Sequence, residues 1–164
     1  MGERGDYQRK GQNWKKIEEN IRTVQRDCPN VLFGVNVTVS IFNILQVPSF
    51  YRYMVENKFV HPQRMNLYLL FDPAYLNITN LPNSIKQKAI EQFDALETDF
   101  LTSLPDSTNI RNHIKAVVAY MTSEQGNRIK EFQHWVNAID TIRGEEFISI
   151  FPELAETMLI EPVE

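Results

Sequence analysis

A chain of 164 residues is long enough for one compact domain and too short for two ordinary ones, and 43% hydrophobic with 23% charged residues excludes a disordered or rod-like chain. No apolar run reaches the ~18 residues of a spanning helix and the charged N-terminus has no apolar signal core, so the expectation is a soluble cytoplasmic protein without membrane contact. A net charge of −4 argues against a nucleic-acid surface, and the lone Cys28 can neither close an internal disulfide nor build a multi-thiolate metal site.

Met1 to Gly11 is rich in glycine and charge, shows no apolar period and reads as a loop that contributes nothing to a core. Trp14, Ile17, Ile21 and Val24 then recur at three- and four-residue steps, one face of an amphipathic helix that Cys28-Pro29 stops. From Val31 to Ser40 the chain alternates. Val31, Phe33, Val35, Val37 and Val39 fall on one side, and Leu32, Gly34, Asn36, Thr38 and Ser40 on the other, so the expectation is a strand with helices behind its valine face and a cavity before its small polar face. Phe42 to Asn57 reads as a helix that Pro48 breaks or restarts. Met65 to Phe71 is a second strand, ended by Pro73, with Leu67, Leu69 and Phe71 opposite Asn66, Tyr68, Leu70 and Asp72.

Strand, helix and strand make a βαβ unit, which predicts parallel pairing and a right-handed crossover. After Leu81-Pro82 three helical periods follow, through Ile85 to Phe100, Ile110 to Met121 and Ile129 to Ile142, parted by Pro105-Asp106 and Gly126-Asn127. A last helix, Glu145 to Met158, is interrupted by Pro152. Two strands alone leave two unpaired edges, so the isolated chain is expected to self-associate or to need another chain.

The run Gly2-Glu3-Arg4-Gly5-Asp6-Tyr7-Gln8-Arg9-Lys10-Gly11 with Trp14 and Asn20-Ile21 resembles the segment after the fourth strand of twitch-type radical S-adenosylmethionine proteins. Asn36-Val-Thr-Val-Ser40 with Asn43 is similar to that family's fifth strand and following helix start. Asp72-Pro73 with Leu76 to Pro82 resembles the segment after its sixth strand, and Asp140 to Gly144 with Phe147 to Leu154 its closing helices. The resemblance implies a portion of a partial (β/α)6 barrel. It also implies an S-adenosylmethionine-reducing [4Fe–4S] cluster on a Cys-x3-Cys-x2-Cys loop, and this chain has none of those thiolates. The cluster is therefore not expected here, and the chain alone is expected to be inert.

On this reading the fold class is α/β, a piece of barrel wall in residues 1–82 with a helical segment in 83–164 packed on it as one domain. S-adenosylmethionine is the ligand that the resemblance implies. Its candidate contacts are Arg9, whose guanidinium fork suits a carboxylate, Asn36, Thr38 and Ser40 on the polar strand face, Asn43 beyond the strand end, and Tyr68 and Asp72 on the second strand. The partner would be the missing N-terminal barrel portion, or a second copy. Asn43 reads equally as a helix cap, and Arg9 reads more readily as a solvated loop residue. The competing expectation is a non-catalytic interaction module that pairs through exposed strand edges and helices. His61, His113 and His134 share no metal-ligand spacing and read as structural or solvated, and Glu91, Asp94, Glu97 and Asp99 as a solvated helix face. The sequons at Asn36 and Asn77 read as chance matches.

Overall fold

The computed structural model of the chain describes residues 2–158. The long alternating run becomes a strand only where it finds a partner: β1 covers Val35–Val39 and pairs in parallel with β2, Met65–Leu69. Val35 lies opposite Met65, Val37 opposite Leu67 and Val39 opposite Leu69. Val31 to Phe33 precede the pairing, because the residues ahead of β2 form a 3-10 turn over Pro62–Arg64 and offer no ladder. At their junction Gly34 passes so close to the Arg64 carbonyl that a β-carbon would sit 3.1 Å from its oxygen.

The sidedness expected from the alternation is present. Met65, Leu67 and Val39 are buried and Val35 and Val37 half-buried under the helices, whereas Asn36, Thr38 and Tyr68 are exposed on the opposite face. The connecting helix α3 starts at Val47 and ends at Glu56, later than the expected Phe42, with turns between. Starting at Val47 places Pro48 in the first turn, where its missing N–H breaks no helical bond. Before α3 lies α2, Trp14–Asp27, whose first turn is capped by the Asn13 side chain accepting from the Lys16 amide at 3.0 Å. It packs beside α3, with the Trp14 ring edge-on to Phe50 at 5.6 Å and the Arg22 guanidinium over Phe59 at 4.2 Å.

The second half is helical, as the periods predict: α4 over Asn83–Asp99, α5 over Thr108–Ser123 and α6 over Ile129–Arg143. Gly144 closes α6 in the left-handed conformation (φ 62°) that a residue with a β-carbon adopts only at a cost. The interruption at Pro152 separates α7, Phe147–Ile150, from α8, Pro152–Met158. The halves share one core: Phe42, just past β1, lies 5.4 to 5.7 Å from the rings of Phe132, Trp135 and Phe151.

The expected N-terminal loop is a helix, α1 (Gly2–Gln8), and it does build the core; Met1 lies outside the described residues. Tyr7 is 1% exposed, wedged among Phe42, Phe147 and Phe151, and its hydroxyl donates to Asp140 Oδ1 at 2.9 Å. Arg143 donates to the Tyr7 carbonyl at 2.7 Å, and Arg4 forks onto the Glu153 carboxylate, which also accepts from Gln46. So short a helix with one large anchoring side chain displays no periodicity, and its stability comes from contacts more than 130 residues away in sequence.

Candidate functional site

Parallel strands turn the backbone groups of successive residues to alternate edges. Because the Leu70 amide donates to the Val39 carbonyl at 3.0 Å, Val35, Val37 and Val39 direct their backbone toward β2. Asn36 and Thr38 therefore direct theirs to the outer edge of β1, and Met65 and Leu67 theirs to the outer edge of β2.

The two edges are finished differently. Along β2 runs α5, whose side chains replace a third strand: Asn109 Nδ2 donates to the Gln63 carbonyl (3.2 Å) and reaches the Met65 carbonyl (3.4 Å), and His113 Nδ1 lies 3.3 Å from the Leu67 amide and 3.0 Å from its carbonyl. One turn of helix separates Asn109 from His113, a spacing that matches the two outward positions of the strand. Along β1 only the upper end is closed. There the Asn43 side chain accepts from the Ser40 amide (2.9 Å) and donates to the Thr38 carbonyl (2.8 Å). Below it, the Asn36 amide and carbonyl and the Thr38 amide meet no hydrogen-bond partner among the described residues.

The open face of the sheet is polar. Asn66 Nδ2 donates to Asn36 Oδ1 at 3.0 Å and Asn66 Oδ1 accepts from Asn109 at 3.2 Å, a chain of three side-chain amides across both strands. Beside it the next pair in register is Thr38 and Tyr68, with Tyr68 53% exposed. Such a face presents amide and hydroxyl hydrogen-bonding groups and one aromatic ring to a ligand.

Of the seven residues expected to contact a ligand, the fold brings Asn36, Thr38 and Tyr68 together on this face. Ser40 is buried at the strand end, and Asn43 spends its side chain on the strand edge rather than on the face. Asp72 is exposed beyond β2, ahead of a cis Asp72–Pro73 peptide. Arg9 lines a separate hollow of about 420 Å³ with Lys10, Asn13 and Lys16 at the start of α2. Asn66, Asn109 and His113 were not among the expected site residues. Asn66 was legible from the strand alternation, whereas the two on α5 needed the packing of that helix.

A cluster of iron and sulfide does not fit the chain at all, since the single thiol, Cys28, is exposed. Among the described residues no three His, Cys, Asp or Glu side chains converge as metal donors. A hollow of about 580 Å³ between the end of α2 and the segment leading to β2 joins Cys28 and His61 with Phe33, Phe59, Lys58 and Arg64. Elsewhere Lys86 is buried with its ammonium on the Glu124 carbonyl (3.2 Å) and Gln125 Oε1 (3.0 Å), and burial lowers its pKa. It ties the end of α5 to the start of α4.

No family model, no curated protein and no solved structure matches this chain. The structure by itself establishes an α/β fold, mostly helical, around a two-stranded parallel sheet. None of the described helices is long and apolar enough to cross a membrane.

Proposed function

We propose that this chain is a wall-and-cap portion of a radical S-adenosylmethionine-type protein, contributing a ligand-contacting face and no redox centre of its own. The observation that carries this reading is the asymmetry of the sheet. Helices cover its apolar face, α5 seals the β2 edge, and the polar face and the β1 edge are left open, as a wall requires if it ends at β2 and continues past β1. Within it Asn36 and Thr38 supply hydrogen bonds and Tyr68 an aromatic surface, while the reductive chemistry that such a cofactor undergoes rests on groups outside this chain. The sequence motifs at Asn36–Asn43 and Asp72–Pro82 support the assignment to that family.

Titration with S-adenosylmethionine at millimolar concentration, followed by backbone amide NMR, tests it. The expected result is weak binding with shifts confined to Asn36, Thr38, Asn66 and Tyr68, lost in Thr38→Val. Absence of any shift on that face at saturating ligand overturns the reading. The second reading, a docking module that acts through its strand edge, is favoured by the unpaired groups on β1.

A further inference from the structure

The edge of β1 borders a second feature. Between it and α2 lies a hollow of about 420 Å³ lined by Trp14, Ile17 and Val24 of α2, by Phe33 and Val35, and by Phe50 of α3. It is almost wholly apolar. The amphipathic stripe of α2 covers less than it could: Ile21 is buried, but Trp14 and Ile17 are half-buried and Val24 is 38% exposed. A helix that follows its apolar period yet leaves part of the stripe over empty space beside a strand edge overhangs a vacant strand position.

We propose that this position is a strand-acceptor slot, taking one extended segment of another polypeptide whose apolar side chains point up under α2 and whose polar ones point to the open sheet face. Three observations converge on an extended segment rather than a helix or a small molecule. The Asn36 amide and carbonyl and the Thr38 amide form a run of unmet backbone groups at two-residue spacing, which only another strand matches in full. Asn43 already occupies the Thr38 carbonyl and the Ser40 amide, so the slot is short and closed at its upper end. Above the edge the lining is apolar, and on the open face the neighbours are Asn36 and Thr38, so the occupant alternates apolar and polar residues. A second copy of this chain does not suit the slot: two-fold pairing of β1 with β1 carries each overhanging α2 into the space of the other. The proposal rests on the docking reading of the β1 edge and names its occupant; it stands apart from ligand binding, because the hollow lies on the helix-covered side of the sheet.

The probe is a short blocked peptide of alternating valine and threonine ended by lysine, added to the whole chain. Binding is expected to slow hydrogen exchange at the Asn36 and Thr38 amides and to shift the fluorescence of Trp14 to the blue in a Trp135→Phe background. Asn36→Pro, which removes an edge amide while leaving the β1–β2 ladder intact, is expected to weaken binding at least tenfold. A peptide N-methylated on the edge-facing amides of its backbone repeats that loss with the protein untouched, which keeps the test valid if the proline variant misfolds. Binding that leaves both amides unprotected, binding retained by the N-methylated peptide, or a concentration-dependent dimer of the chain alone that Asn36→Pro abolishes each overturns the proposal.

Discussion

Asn43 stands where the next strand's peptide group would stand, its side-chain amide accepting from Ser40 and donating to Thr38 at the end of β1. A side chain thus imitates one unit of β-ladder and stops the edge from growing at that point. Asn43→Ala removes both bonds and leaves the Ser40 amide short of a partner, so a loss of about 1–3 kcal/mol in chemical denaturation is expected. Asn43→Asp, which keeps the acceptor and loses the donor, is expected to fall between the two.

On the other edge, Asn109 and His113 play the same part for β2 from α5. The double variant Asn109→Ala/His113→Ala exposes the Met65 and Leu67 backbone and is expected to self-associate more strongly with rising concentration than the unmodified chain. Sedimentation velocity reads the difference, and an unchanged sedimentation profile in the double variant would show that α5 shields the edge by bulk alone.

The N-terminal helix is held by charge and burial, and both leave a pH signature. Burial works to raise the Glu153 carboxyl, but the Arg4 fork and the Gln46 amide outweigh it and hold it below its ordinary value. A depressed folded pKa stabilises above the unfolded value and is lost as pH falls through the folded one, so α1 is expected to loosen first on acidification. Amide exchange in α1 measures this, and Glu153→Gln is expected to speed it at neutral pH.

At the alkaline end, burial pushes the Tyr51 phenol up to about 12, from 10.0. Burial, with the hydrogen bond to Asp140, raises Tyr7 further. Raised folded values give stability that is complete below the unfolded pKa and lost as pH climbs toward the folded one. The denaturation midpoint is therefore expected to fall between pH 10 and 12, less steeply in Tyr51→Phe. Tyr7→Phe is expected to cost about 1 kcal/mol at neutral pH for the lost Asp140 bond, and Tyr7→Ala about 3–5 kcal/mol for the emptied aromatic site.

Gly126 marks the tightest approach in the helical half. A β-carbon there would fall 2.1 Å from Asn80 Oδ1 and 2.9 Å from the Asn80 backbone nitrogen, while Asn80 Oδ1 accepts from the Arg128 amide and its Nδ2 donates to the Ala74 carbonyl. The asparagine is anchored on both sides and cannot yield. Gly126→Ala is expected to cost about 1–3 kcal/mol by thermal melting.

Local pattern alone determined the parallel βαβ unit, the valine-in and polar-out sidedness of β1, and the long helices with their breaks. Each follows from a period of side chains that must choose between water and a core. Tertiary structure decided the rest. It started β1 only at Val35, because a strand exists only where a second backbone bonds to it, and it folded α1 around Tyr7, whose partners lie at the far end of the chain. Packing also recruited Asn43 and His113 to the strand edges and sent Arg9 to a different hollow from Asn36. Those outcomes depend on which surfaces meet, and no window of neighbouring residues carries that information.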